Sequence, residues 1–529
     1  MSFNSISTIS ISNLTFAFDG ASDLFTNLSL NLSTDWCLGL IGRNGRGKTT
    51  FLRLLAGQLK YQGTIQAKVE RLYFPFELNG PTLSPPDQSP FEYKGTPPDG
   101  FSLITRKFPT LLPWRLSKEA DLIALKPDCL SRPVSTLSPG ETTKLKLAAL
   151  FALDNVFPLI DEPTSGLDET GRRAVAGFLS QKRGFIVASH DRFLLESVVD
   201  HIIALGRQGP ELYKGTFNTY WSEYKKRVKS EENLAKKLSE EIDRLAQAAK
   251  RTSAWSSKAE STKFGHGPVD RGFIGHKAAK MNKRSKSVAQ RHQKAFEDKK
   301  NIGWIAERSP AMSLSPVHFQ ASRLIEGRGL CLGYDQKAVL VDLDLNLQRG
   351  ERLAVKGPNG CGKSLLLSIL AGSGGTILGG SLRLPKGLIL SYVPQRLQTL
   401  ALTISELCQE KGVEETKVKS LLHYLGFDRA ALSAKIHELS QGQLRKLILA
   451  SSLASQAHLY LWDEPLDFLD LFSRDQIEDL ILESQPSLII IEHDLTFIDR
   501  VASGILDLTP YSRAVNENKI NNCLTNIEY

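Results

Sequence analysis

The chain has 529 residues, 41% hydrophobic and 23% charged, with a formal net charge of +9; this is ordinary globular usage and excludes disordered, collagen-like and disulfide-rich classes. Its length exceeds what one hydrophobic core supports, so at least two domains are expected. No apolar run reaches the eighteen or so residues of a membrane span, and the six cysteines include no CxxC pair, so neither a membrane-spanning protein nor a zinc or disulfide framework is expected, and the thiols should be reduced.

The N-terminal MSFNSISTISISNLTF lacks the charged start, apolar centre and cleavage site of a secretory signal, so a cytoplasmic location is expected. ISISNLTFAF alternates as a strand does, and a further apolar strand runs into GRNGRGKT, Gly42 to Thr49. The segment fits GxxxxGK[ST] in the strand, loop and helix context that the motif requires. Backbone NH groups in such a loop converge on phosphate oxygens, helped by the positive end of the next helix. Gly42, Gly45 and Gly47 permit the curled backbone, and Asn44 and Thr50 complete the candidate cradle. Lys48 would neutralise the β and γ phosphates of ATP, and Thr49 would hold Mg2+.

YFPF, ending at Phe76, comes next, and the Pro-rich residues 81 to 98 are expected to form a loop. LSPGE, Leu137 to Glu141, opens a helix-like stretch, with Ser138 and Gly140 as anion-binding candidates. VFPLIDEPTSGLD is an apolar strand ending in adjacent acids: Asp161 would bind Mg2+, directly or through water, and Glu162 would polarise the water that attacks the γ phosphate. Another apolar strand ends at SHD, where His190 is a candidate γ-phosphate contact.

From about residue 216 the strand pattern stops. Tyr224, Val228, Glu231, Ala235, Leu238, Ile242, Leu245 and Ala249 follow the alternating steps of four and three of a coiled-coil seam, and Ile274 to Ala295 repeat that spacing. Two antiparallel helices with a loop at 251 to 273 are predicted. Between Trp221 and Lys300 there are 21 Lys and Arg against 10 Asp and Glu, so the chain's basicity belongs to this segment. Arg271 to Phe296 carries eight Lys or Arg and no acid, which suits contact with a phosphate backbone.

From about residue 320 the signals recur in order. Strand-like LVDLDLNL precedes GPNGCGKS, in which Gly357, Asn359, Gly360, Gly362, Lys363 and Ser364 repeat the first loop. YVPQ ends at Gln395; LSQGQ supplies Ser440, Gly442 and Gln443; HLYLWDEPLDFLD supplies Asp463 and Glu464; EHD supplies His493. One P-loop match arises by chance at the level of roughly 2% in a chain of this length. Two in register with every other signal leave chance no room.

The motif order resembles the ATP-binding-cassette superfamily, whose signature reads LSGGQ. That resemblance implies an α/β fold with two P-loop nucleotide-binding domains joined by an antiparallel helical-hairpin linker, divided as 1–215, 216–318, 319–512 and a tail at 513–529. It implies a monomer in which two ATP molecules are sandwiched head to tail, each signature closing the other domain's pocket. Gln395 matches the family's Mg2+-linking glutamine, and Phe76 stands at its place in the first domain. Phe18 and Tyr334 stand where the family stacks an aromatic on adenine. Pro139 deletes an NH from the first signature and Glu141 adds a charge, so unequal sites are expected.

With no membrane span, the chain resembles the ABC-F group of ribosome-binding ATPases. GFIGHKAAKMNKRSK and LWDEPLDFLDLFSRDQIE are similar to members that protect bacterial ribosomes from lincosamides, pleuromutilins and group A streptogramins. The implied partners are rRNA and P-site tRNA, reached through the basic linker. A housekeeping translation role and the ATPase subunit of a transporter are the alternatives.

Overall fold

The computed structural model describes residues 7–20, 23–78, 99–206, 209–261, 287, 290–291, 293–294, 314, 316–335, 337–395, 402–427 and 430–512. The chain divides into two compact units, Met1–Phe217 with Pro310–Tyr529, and Asn218–Ser309.

The first unit contains the same architecture twice. In the first copy β1 (Thr8–Phe16), β2 (Phe25–Ser33) and β4 (Gln62–Gln66) form an antiparallel sheet in the order β2-β1-β4. A second sheet has the order β5-β6-β7-β3-β8-β9, from β3 (Cys37–Gly42), β5 (Glu70–Phe74), β6 (Val156–Asp161), β7 (Phe185–Ala188), β8 (His201–Gly206) and β9 (Gly209–Lys214). It is parallel except for β9. Buried on both faces, β3 and β7 read as continuous apolar runs, whereas β1 alternates.

Helix α1 (Lys48–Leu55) shares one core with β1, β2 and β3, and its Phe51, Leu52, Leu54 and Leu55 are fully buried. Each such side chain contributes about 1.5–3 kcal/mol, so this packing fixes the P-loop that precedes α1. Phe51→Ala would cost about 3–5 kcal/mol.

Smaller helices follow: α2 (Gly100–Lys107), α3 (Pro113–Leu122), α4 (Asp128–Ser131) and α5 (Pro139–Ala152). Then come α6 (Glu169–Leu179) and α7 (Arg192–Val198). The loop expected at 81 to 98 lies outside the described residues.

The second copy pairs β11 (Lys337–Gln348), β10 (Arg323–Tyr334) and β13 (Thr376–Arg383) in one sheet. Its parallel sheet has the order β14-β15-β16-β12-β17, from β12 (Arg352–Lys356), β14 (Leu390–Val393), β15 (Leu459–Asp463), β16 (Leu488–Ile491) and β17 (Gly504–Asp507). Its helices, numbered after α8 of the linker (Phe217–Ser261), are α9 (Lys363–Leu370), α10 (Ile404–Glu410), α11 (Glu415–Tyr424), α12 (Gln441–Ala454), α13 (Leu471–Ser484) and α14 (Leu495–Val501).

In each parallel sheet the strand carrying the acidic pair, the strand leading to the histidine and the strand leading to the P-loop are neighbours, β6-β7-β3 and β15-β16-β12. Parallel strands end on one edge, so segments more than a hundred residues apart meet there.

Helix α8 runs 45 residues, about 67 Å at 1.5 Å per residue. Along it Tyr224, Val228, Glu231, Leu238, Ile242 and Leu245 are partly buried, while Lys226, Arg227, Lys229 and Lys236 are exposed. The loop expected from residue 251 is corrected at its start: residues 251–261 are helical. Nothing in RTSAWSSKAES breaks a helix, the first glycine being Gly265. Most of the expected second helix lies outside the described residues. Among the described cysteines, Cys37, Cys129, Cys361 and Cys408 are free thiols but Cys331 is disulfide-bonded, which corrects the expectation of reduced thiols there.

Candidate functional site

Two cavities lie at the C-terminal edges of the parallel sheets. The first, about 780 Å³, is lined by Phe18, Asn44, Gly45, Gly47, Lys48, Thr49, Thr50, Asp161, Glu162 and His190. The second, about 420 Å³, is lined by Tyr334, Asn359, Gly360, Gly362, Lys363, Ser364, Gln395, Glu464 and His493. Phe18 and Tyr334 leave about half their surface open, 53% and 52%, enough to offer a ring face to a base.

Each P-loop turns through left-handed glycines. Gly47 has φ 84° and Gly362 φ 106°, and a Cβ on either would come within 3 Å of a neighbouring side chain. Only glycine fits, for both reasons. These glycines are the N-caps of α1 and α9 and supply no side-chain cap, which leaves the first NH groups of each helix for another acceptor. Lys48 Nζ donates to the Gly42 carbonyl at 2.8 Å, and Lys363 Nζ to that of Gly357 at 2.7 Å. Burial lowers the Lys48 pKa, opposed by Asp470, Glu162 and Asp161.

Glu162 and Glu464 adopt left-handed φ values of 48° and 51°, an uncommon conformation for a non-glycine residue. Their NH groups donate to Ala188 and Ile491, the last residues of β7 and β16, at 2.9 Å each. This anchor turns both carboxylates off the strand into the cavity. His190 Nε2 lies 3.3 Å from Glu162 Oε1, and His493 Nε2 lies 3.4 Å from Glu464 Oε1.

The two carboxylates meet different fields. Burial pushes Glu162 up to about 7, against the pull of Lys48 and with a push from Asp161. Burial also raises Glu464, but hydrogen bonds from His493 and Gln395, with the charge of Arg445, outweigh it and hold the group below the usual carboxylate range. His190 is pushed well below the ordinary histidine value by burial, then by Lys48, Arg474 and Lys446.

The candidate Mg2+ ligands also differ. In the first site Thr49 Oγ1 and the Tyr73 hydroxyl both donate to Asp161 Oδ2, at 2.7 and 2.9 Å. Phe76 is turned into the interior against Phe74 and Phe108. In the second, Gln395 Oε1 accepts from Ser364 Oγ at 3.4 Å. Asp463 is fully buried, and neither of its oxygens has a hydrogen-bond partner of ordinary geometry. Burial pushes it up to about 6, with Ser364 and Lys363 pulling down and Glu464 pushing up. A buried carboxylate with unused lone pairs beside a serine hydroxyl and an amide oxygen is a hard-oxygen donor set that suits Mg2+.

The signature residues Ser138, Gly140, Ser440, Gly442 and Gln443 line neither cavity; Ser138 and Ser440 are the exposed N-caps of α5 and α12. What crosses between domains is the turn after each acidic pair. Asp467, Phe468 and Arg474 line the first cavity, and Gly166, Leu167 and Arg172 the second. Asn44 donates from its NH to Asp470 Oδ2 at 2.9 Å and from Nδ2 to the Phe468 carbonyl at 2.6 Å. Sequence reasoning named Asn44 but passed over the residues of these turns and Tyr73, although SGLD and DFLD recur three residues after each glutamate.

A family model described as ABC transporter matches residues 25–88 and 340–467, covering both P-loops and the second acidic pair. The chain is an ATPase with tandem ATP-binding-cassette domains. The ATPase is 26% identical over 493 residues to the ribosome protection protein VmlR of Bacillus subtilis, covering 91% of this chain and 83% of that protein. It is 28% identical over 507 residues to the ATP-binding protein Uup of Caulobacter vibrioides, covering 93% of this chain and 75% of that one. Its fold resembles that of an archaeal ribosome recycling factor solved with the ribosomal stalk protein, with a TM-score of 0.57 at 19% identity over 90% of this chain and 83% of that one. Among its described residues no helix is long and apolar enough to cross a membrane.

Proposed function

We propose that this ATPase binds the ribosome through its basic linker and uses ATP-driven closure of its two domains to protect the peptidyl-transferase centre from antibiotics. The observation that carries this reading is the similarity to a ribosome protection protein across 91% of the chain, linker included. Lys48 and Lys363 bind the phosphates, Phe18 and Tyr334 stack on the bases, and Glu162 and Glu464 each orient and deprotonate a water, with His190 and His493 beside them. Thr49 and Asp161 in one site, and Ser364, Asp463 and Gln395 in the other, would hold Mg2+. That ion, when bound, would neutralise the negative charge of the phosphates.

The linker is proposed as an antiparallel hairpin that passes a P-site tRNA, with the loop after α8 reaching the drug pocket. Comparison of cells with and without the ATPase for susceptibility to a lincosamide and a pleuromutilin tests the reading. Protection against at least one is expected, and no protection against any peptidyl-transferase drug sinks it. The second reading, a housekeeping translation factor, would then take its place.

A further inference from the structure

Helix α13 of the second domain touches the first ATP site at three points, one helical turn apart. Asp470, its N-cap, accepts the P-loop NH of Asn44 at 2.9 Å. Arg474, four residues on, donates to the His190 carbonyl at 3.3 Å and pairs with Asp494 of its own domain at 3.3 Å. Glu478, four further on, accepts from Arg192 Nη1 at 2.7 Å. Arg192 is the first residue of α7, two after His190. Positions i, i+4 and i+8 share a helix face, so one face of α13 meets in turn the P-loop, the histidine and the helix that follows it.

The last contact is deeply set. Glu478 is fully buried, and Arg500 completes its pairing at 2.6 Å. Breaking one partner of such a group leaves an uncompensated buried charge, so the contact holds the two domains in register at this edge.

The matching face of α6 is different. Counting from Glu162 and Glu464, Asp168, Arg172 and Ala176 correspond to Asp470, Arg474 and Glu478; counting from His190 and His493, Leu495 corresponds to Arg192. Arg172 lines the second cavity and makes the own-domain contacts that Arg474 also makes, its Nε donating to the Leu167 carbonyl at 3.0 Å and its Nη1 lying 3.6 Å from Asp191, but among the described residues it has no hydrogen bond to the His493 carbonyl to match that of Arg474 to His190. Ala176 and Leu495 cannot form an ion pair.

We propose that the Asp470, Arg474 and Glu478 face of α13 is a positioning device supplied in trans to the first ATP site, holding His190 against Glu162, and that the second site has no matching ion pair. The proposal rests on the two-site ATPase reading. Arg474 fixes the His190 backbone, Glu478 fixes the helix start behind it, and His190 Nε2 stands 3.3 Å from the Glu162 carboxylate. The first site therefore fires only with the second domain docked on it.

The test is the double variant R192L/E478A, which copies the Leu495 and Ala176 pair into these positions and leaves Arg500 its partners Asp475 and Asp479. It is made in the full chain on two backgrounds, E464Q, where turnover comes from the first site, and E162Q, where it comes from the second. On E464Q, kcat should fall about tenfold with KM for ATP unchanged within twofold; on E162Q, kcat should change less than twofold. E478Q alone, which keeps the side-chain shape, should give a smaller fall on E464Q only, and thermal melts check folding of each variant. Equal falls on both backgrounds, no fall on E464Q, or an E464Q chain with no turnover to position would each overturn the proposal. No ATP hydrolysis by the unsubstituted chain would sink the ATPase assignment beneath it.

Discussion

Glu162 and Glu464 hold matched positions at the ends of β6 and β15, yet one carboxyl is pushed up to about 7 and the other is held low. A general base works deprotonated, so the direction of each shift sets a pH profile. As the proposed base, Glu162 gains its active form as pH rises through about 7. Turnover by the E464Q chain should climb roughly tenfold from pH 6 to 8, the change in ionised fraction across such a pKa, while turnover by E162Q stays flat. Steady-state rates at constant ionic strength check this, and two flat profiles would count against the assigned bases. E162Q/E464Q together should bind ATP almost as the parent does while hydrolysis stops. At this scale the sequence named the candidates whose spacing is local, and the fold brings them together: both P-loops, both glutamates and both histidines. It hid Tyr73 on Asp161 and Asn44 on Asp470, separated by 88 and 426 residues, because nothing in the local pattern says which strand edge or which domain a side chain will meet.

At the scale of elements, the signature helices show how a local departure is absorbed. The sequence reads Pro139 as a lost NH and Glu141 as a misplaced charge. In the fold Pro139 occupies the first turn of α5, where its NH would have no helical partner. Glu141 closes a capping box, its carboxylate accepting the Ser138 NH at 2.8 Å and the Ser138 hydroxyl at 2.9 Å. Those hydrogen bonds hold its pKa down, and Gln443 plays the same part for Ser440. The larger contrast lies two residues further on. Arg445 of α12 donates to the carbonyls of Asp463 and Gln395 at 2.9 Å each and of Glu464 at 3.2 Å, tying this helix to the catalytic turn; Thr143, its counterpart in α5, reaches only the Pro139 carbonyl. Arg445→Gln should lower stability by about 2–3 kcal/mol, because buried carbonyls lose a charged donor, and should slow the second site. A denaturation midpoint that does not move would contradict this. In the linker, the heptad seam announced α8, but its end was misplaced because a missing helix breaker is a weaker signal than a present one. Replacing Lys280, Lys283, Arg284 and Lys286 with Gln should weaken ribosome binding and flatten its salt dependence by up to about three to four in log–log slope. Trp255 near the end of α8, and Phe264 and Phe273 beyond it in sequence, carry rings of the kind that stack on RNA bases; their alanine substitution should remove drug protection and leave ATPase activity in place, and loss of both together would make these aromatics structural.

For the molecule as a whole, duplication made the fold legible: each weak signal gained weight from its repeat, and parallel-sheet topology explains why the repeated segments converge. The way the two halves dock was not legible, because it depends on few, one-sided contacts such as Arg192 with Glu478. The central claim is that ATP-bound closure of these domains is read by a ribosome. Its most direct test is co-sedimentation of the E162Q/E464Q chain, with ATP, against purified ribosomes and, separately, membrane vesicles. The account predicts that the chain pellets with ribosomes in an ATP-dependent and salt-sensitive manner and stays in the supernatant above vesicles; pelleting with vesicles, or no ATP-dependent ribosome binding at any ionic strength, would contradict it.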